Sequence, residues 1–254
     1  MNEMHEANRK GWDAVSPYWQ RKIDADGDWD KCHVEPERIF APQELGLLRD
    51  VKGQEACVLG SGDNMAVFAL AGMGARVTSV DISQSQLDIA AGRAAQLGLD
   101  VTFIRSDVTD LSAIESERFD LIYTGGHVAV WVSDLKTYYA EAVRILKRGG
   151  MFIVSEYHPL RRIWKELPDR LEQEFSYFDR GPHQYDRSEE VPDTEPGTFP
   201  SYEFHWSMSD FAMAVIDAGC ELVRVDEFGE APEGWEVAPT GGLPKSLLLV
   251  GRKR

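Results

Sequence analysis

The chain has 254 residues, 43% of them apolar and 28% charged, which suits one elaborated α/β domain or two small ones. With 27 basic and 43 acidic residues the net charge is −16, which argues against a nucleic-acid partner, because such binding is driven largely by Lys and Arg. Cys32, Cys57 and Cys220 form no metal-ligand spacing and suit a reducing cytoplasm; MNEMHEANRK has no signal-peptide character; the longest apolar run, about ten residues, is too short to cross a bilayer.

Residues 1–50 read as helices, first NRKGWDAVSPYW with Trp12, Val15 and Trp19, then Glu37–Arg49. From Glu55 to Glu156, short apolar runs alternate with helical patterns. Ala56–Leu59, Arg76–Val80, Val101–Arg105, Phe119–Tyr123 and Met151–Ser155 are expected strands, apolar on both faces as parallel strands between helices must be. Ser83 with Gln86 forms a capping box that starts a helix, and Gly98 ends it. A second helix is expected from Ser133, with Leu135, Tyr139, Ala142 and Leu146 on one face and Gly149-Gly150 as its stop. The β-α-β-α order predicts a doubly wound parallel sheet.

Residues 159–204 differ in kind. Six prolines interrupt them, yet Trp164, Phe175, Tyr177, Phe178, Tyr185, Phe199, Tyr202 and Phe204 are spread along them. Disordered linkers are poor in aromatics, so this insert is expected to pack as a lid. Ser207 and Asp210 then cap a last helix that stops at Gly219, followed by strands Glu221–Val225 and Leu247–Val250.

The chemistry is concentrated at the carboxyl ends of the expected strands. Gly60 and Gly62 follow the first strand and allow a sharp turn against which a ligand can lie. Asp81 closes the second strand and can accept hydrogen bonds from both hydroxyls of a ribose. Asp63 stands where a dinucleotide would place its pyrophosphate, so the loop favours a cofactor without phosphate. Asp107, after the third strand, can accept from an adenine amino group, and a neighbouring backbone N–H can donate to the ring.

Four pieces in order, LGSGDN, VDIS, RSDVTDL and the pair FDLIYT and RILKRGG, resemble the core of the class I S-adenosylmethionine-dependent methyltransferases of the small-molecule type. The resemblance covers Glu55–Glu156. It implies a Rossmann-like seven-stranded sheet with the last strand antiparallel. Around it stand an N-terminal helical cap (1–50), the cofactor core (51–158), a lid or substrate insert after the fifth strand (159–206), and a C-terminal helix and hairpin (207–254). It also implies that Gly60, Ser61 and Gly62 contact the amino-acid portion and ribose of S-adenosylmethionine, that Asp81 takes the ribose hydroxyls with Ile82 on the adenine face, that Asp107 and Val108 read the adenine edge, and that Tyr123, Thr124 and Gly125 line the methionine side. Two positions depart from the family: Val58 replaces its usual acidic residue, for which Asp63 is the substitute, and Asn64 replaces its third glycine.

Methyl transfer is an in-line displacement that needs a base only if the acceptor must lose a proton. His127 and His158, each just beyond a strand end, are the candidate bases, with Tyr157 and Glu156 as partners and His205 further along. No metal is expected. The Arg161-Arg162 pair suits an acidic acceptor; Trp12, Tyr18 and Trp19 and the aromatics of the insert are candidate walls of the acceptor pocket or packing residues, and Trp131 either packs over the cofactor or fills the core. The partner expected is a small-molecule acceptor, with no nucleic acid and no membrane, in a monomer or homodimer. Two alternatives stand beside the methyltransferase: an NAD(P)-dependent oxidoreductase, and a non-catalytic nucleoside-binding module.

Overall fold

The computed structural model describes residues 1–229 and 238–254. Its centre is a seven-stranded sheet built from β1 (Glu55–Leu59), β2 (Arg76–Asp81), β3 (Val101–Arg105), β4 (Phe119–Gly125), β5 (Leu146–Tyr157) and two C-terminal strands. A short hairpin in the insert, β6 (His183–Asp186) and β7 (Pro200–Glu203), stands apart from it. The C-terminal strands are β8 (Cys220–Phe228) and β9 (Ser246–Lys253), and the sheet order is β3-β2-β1-β4-β5-β9-β8. β9 runs antiparallel to both its neighbours, while the first five strands are parallel. This is the doubly wound, Rossmann-like sheet the sequence predicts. The order reverses between β1 and β4, so their following loops diverge and open a crevice at the carboxyl edge.

Helices cover both faces. α5 (Leu135–Ile145) and α6 (Met208–Asp217) bury Tyr138, Tyr139, Ala142, Phe211 and Val215 against one side. α2 (Pro42–Leu48), α3 (Met65–Gly72) and α4 (Gln84–Leu97) bury Leu48, Phe68, Leu70 and Ala90 against the other. The Ser207–Asp210 capping box of α6 forms in both directions. Gly98 ends α4 at φ 68°, as its position predicts.

Three local expectations need correction. Ser83 caps α4 through the Gln86 N–H, but the Gln86 side chain does not return the bond; it reaches Gln20 instead. α5 starts after Asp134, whose carboxylate takes the Thr137 N–H, and it ends at Ile145 because the chain is already extended at Leu146. Gly149-Gly150 therefore lies inside β5 rather than stopping a helix.

The N-terminal segment is one long helix, α1 (Glu3–Asp26), which passes through Pro17. Its buried positions include His5, Asn8, Ser16 and Gln20, so it docks largely through polar side chains. α2 begins only at Pro42, which suits the first helical position because its missing N–H would have no partner there. No described helix is long and apolar enough to cross a membrane.

Candidate active site

The loop after β1 sets the floor of the crevice. Gly60 and Gly62 take φ 62° and 48°, a region that favours glycine. Gly60 has a second reason: a Cβ there would meet Val128 Cγ1 at 2.4 Å. Asn64 takes φ 64° at the start of α3. That conformation costs an L-residue about 1–2 kcal/mol, and Asn tolerates it best. Two hydrogen bonds offset the cost, from Asn64 Nδ2 to the Gly62 carbonyl (2.7 Å) and from Ser79 Oγ to Asn64 Oδ1 (2.8 Å), the second fully buried. Asn64 thus does the work of the missing glycine with its side chain tucked beneath the loop. Val58 is buried in the core.

Asp81 ends β2 at the edge of the crevice. Its Oδ2 accepts the Gly62 N–H (2.9 Å) and its Oδ1 the Ser83 N–H (2.8 Å), so one carboxylate holds both the glycine loop and the start of α4. Burial pushes its pKa up; the backbone N–H groups work against that.

Asp107 follows β3, and its partners come from elsewhere in the chain. Its Oδ2 lies 2.7 Å from His5 Nδ1, and its Oδ1 takes the Thr109 N–H at 3.0 Å. His5 Nε2 accepts the Ser133 backbone N–H at 2.9 Å. A nitrogen that accepts from a backbone N–H carries no proton, so His5 is the neutral tautomer donating from Nδ1 to Asp107. Burial would raise the Asp107 pKa, but the hydrogen bonds from His5 and Thr109 outweigh it and the net direction is down.

α1 roofs these groups. Asn8 uses its whole amide: Nδ2 donates to the carbonyls of Trp131 (3.1 Å) and Tyr202 (2.9 Å), and Oδ1 accepts from Ser201 Oγ (2.9 Å) and the Tyr202 N–H (2.7 Å). Asp13 Oδ1 accepts from Ser83 Oγ at 2.7 Å, and Arg93 Nη2 on α4 donates to the Gln20 carbonyl at 3.0 Å. Between roof and sheet edge lies a cavity of about 370 Å³, within the range of roughly 300–1,000 Å³ common for small-molecule sites.

Of the sequence-predicted cofactor residues, Gly60, Gly62, Asp63, Asp81, Ile82, Asp107 and Val108 line this cavity. Ser61, Tyr123, Thr124 and Gly125 are not among its walls. Ser61 is buried beneath the loop, its hydroxyl hydrogen-bonded to Ser79 Oγ at 2.8 Å, with Ser61 the donor because the Ser79 proton goes to Asn64. β4 runs two residues further than the sequence suggests, so Tyr123 and Thr124 are still sheet residues with side chains in opposite core layers. Tyr123 bonds Glu44 (2.9 Å) and Thr124 bonds Tyr138. Gly126, His127 and Val128 line the cavity in their place.

The candidate bases separate. His127 and Tyr157 line the cavity with ring centroids 4.5 Å apart. His127 Nε2 is hydrogen-bonded by Arg162, and burial together with the Arg162 and Arg161 charges holds its pKa well below the usual imidazole range. His158 is elsewhere. Its Nδ1 accepts the Leu160 N–H to cap a turn, and its Nε2 pairs with Glu227 at 2.7 Å. His205 stacks on His183 at 4.1 Å and borders a second, smaller cavity.

Glu156, at the end of β5, is 4% exposed and accepts the N–H groups of Val128 and Ala129, both at 3.0 Å, through one oxygen. Burial pushes its pKa from 4.5 to about 7. A protonated carboxyl keeps both bonds, with the proton on the other oxygen. Between about pH 4.5 and 7 the unfolded chain ionises while the folded one stays protonated, so this group's contribution to stability is lost as pH rises, by up to about 3 kcal/mol. Glu156→Gln is expected to flatten that part of the stability profile. Urea midpoints of both proteins at about pH 4.5 and about pH 8 check it, and parallel profiles would contradict it.

Residues the sequence reading did not assign include His5, Asn8, Lys22, Gln86 and Arg187, all lining the cavity. Their side chains come from α1, α4 and the insert; Gln86 is marked in sequence only as part of a helix cap, and no local motif marks the others.

Residues 57–154 match a family described as a methyltransferase domain. A protein of Bacillus subtilis, named an uncharacterized methyltransferase, is 27% identical over 86% of this chain and 88% of its own length. A ubiquinone biosynthesis O-methyltransferase of Brucella melitensis is 26% identical, and the match covers 55% of each chain. A crystal structure of an S-adenosylmethionine-dependent methyltransferase from Mesorhizobium loti shares the fold with TM-score 0.63 and 22% identity, over 84% of this chain and 96% of that one. Another from Clostridium acetobutylicum aligns at TM-score 0.61 and 15% identity, over 94% and 97%. Residues 57–154 thus match a methyltransferase domain, and the fold is the one found in solved methyltransferases that depend on the cofactor S-adenosylmethionine. The residues present fit that group: the glycine loop is open toward the cavity, and a buried carboxylate stands at the end of each of β2 and β3.

Proposed function

We propose that the protein transfers a methyl group from S-adenosylmethionine to a small-molecule acceptor, and that catalysis rests on positioning and on exclusion of water. The observation that carries this reading is the roofed cavity, continuous from Gly60, Asp81 and Asp107 to Trp131, Tyr157 and Arg162. A walled cavity suits a small acceptor better than a polymer, and the net charge of −16 adds repulsion against nucleic acid. The Brucella relative's name, a ubiquinone biosynthesis O-methyltransferase, also favours a small molecule. A cytoplasmic location accords with three free cysteines.

In this reading Asp81 accepts the ribose hydroxyls, and Ile82 covers the adenine face. Asp107 and the Val108 N–H take the adenine edge, with His5 fixing the Asp107 carboxylate. Gly60, Gly62 and Asp63 border the amino-acid portion, and Gly126 to Val128 replace Tyr123 to Gly125 on the methionine side. The cofactor supplies an electrophilic methyl group. Trp12, Trp131 and Tyr157 keep water from the acceptor and fix its approach.

His127 acts as a wall and positioning residue. Its basic nitrogen is occupied by Arg162, and its lowered pKa keeps it neutral near pH 7. Asn tolerates the φ of 79° at this position. His127→Asn is therefore expected to lower kcat by less than about 10-fold, whereas loss of a general base costs about 10²–10⁴-fold. The function is tested by incubating the protein with methyl-labelled S-adenosylmethionine and a panel of phenols, quinols, amines and carboxylic acids. Label transfer to one class supports the reading. Tight cofactor binding without transfer to any member would favour a nucleoside-binding module.

A further inference from the structure

We infer that Arg187 is the anchor for an acidic oxygen group on the methyl acceptor, so that the substrate is a flat aromatic carboxylic acid. The inference rests on the small-molecule reading above and names its substrate class.

Arg187 lies in the insert, just after β6, and is 7% exposed. Its Nε and Nη2 donate to the two oxygens of Glu190 at 2.6 and 2.8 Å. Glu190 is half-exposed, so this edge of the guanidinium faces outward. Nη1 is at the other end of the fork. It is buried and has no hydrogen-bond partner, on a residue that lines the cavity.

A buried N–H donor without a partner costs about 1–3 kcal/mol. The indole of Trp12 lies 4.0 Å from the guanidinium carbon and that of Trp131 lies 5.5 Å away. These rings stabilise the charge but offer no lone pair in the plane of the fork. A ligand oxygen would supply it, and a carboxylate does so most strongly because both partners are then charged. Arg162 brings a second guanidinium to the same cavity, ion-paired to Glu203 at 3.2 Å. Glu166 also lines the cavity, so the local charge is mixed. The buried, unpartnered donor of Arg187, rather than net charge, points to an oxygen ligand. The Trp12 and Trp131 rings, at 5.5 Å and nearly perpendicular, make flat walls beside it.

The test uses the full chain saturated with S-adenosylhomocysteine. Benzoate and indole-3-acetate, and the amide of each, are titrated by calorimetry into the wild type, Arg187→Met and Arg187→Lys. The acids are expected to bind the wild type at least about 10-fold more tightly than their amides. Arg187→Met should erase that preference and Arg187→Lys restore part of it, with S-adenosylhomocysteine affinity within about 2-fold in all three. Equal binding of acids and amides to the wild type, no acid binding at millimolar concentration, or an undiminished preference in Arg187→Met would each overturn the inference. Failure of S-adenosylhomocysteine itself to bind the wild type would instead overturn the reading on which it rests.

Discussion

Asp81→Ala is expected to weaken S-adenosylmethionine binding by about 3 kcal/mol, roughly 100-fold. Two losses combine. The ribose hydroxyls lose their acceptor in a site where water cannot readily replace it. The N–H groups of Gly62 and Ser83 also lose the carboxylate that joins the glycine loop to α4. Asp81→Asn separates the two, because one amide oxygen can keep one backbone bond but not both. Its affinity should fall between those of the wild type and the alanine variant. Calorimetric titration with S-adenosylhomocysteine measures all three, and unchanged affinity in a folded Asp81→Ala would refute the ribose assignment.

Asn8→Ala is expected to cost about 3 kcal/mol of stability and to weaken cofactor binding with it. Asn8 is 2% exposed, and its amide serves four partners on two elements that α1 must grip: the loop after β4 and strand β7. Alanine leaves the Trp131 carbonyl, the Ser201 hydroxyl and both Tyr202 backbone groups without that partner. Water admitted by the smaller side chain would recover part of the loss, so the estimate is well below four full hydrogen bonds. Denaturant unfolding reads the stability change. Because His5 sits one turn before Asn8 and holds Asp107, loosening α1 should also lower cofactor affinity. Wild-type stability in Asn8→Ala would show that α1 does not depend on this clasp.

The sheet was legible because its signals are local. Apolar strands, Ser83, Gly98 and the Ser207–Asp210 box each report on a few neighbouring residues, and the structure bears them out. Strand ends were less legible. β4 and β5 extend beyond their apolar runs, which is why Tyr123 and Thr124 fall inside the sheet and His127 takes the wall position. The roof was the least legible. α1 buries His5, Asn8, Ser16 and Gln20 beside Val15 and Ile23, so hydrophobic periodicity marks only part of its docked face. The tight packing of Gly72 against the His33 backbone, where a Cβ would come within 1.8 Å of the carbonyl oxygen, is likewise invisible in sequence. Asn64 shows the opposite case: a motif departure that reads as a defect in one dimension is compensated by Ser79, fifteen residues away.

Parallel calorimetric titration of the intact protein with S-adenosylmethionine, S-adenosylhomocysteine and NAD tests the central claim most directly. Asp63 lines the cavity beside Gly62, at the place a pyrophosphate would need. Micromolar binding of the first two, with no heat from NAD, is the predicted result. Binding of NAD alone, or of none of the three, would contradict the assignment of this cavity to S-adenosylmethionine.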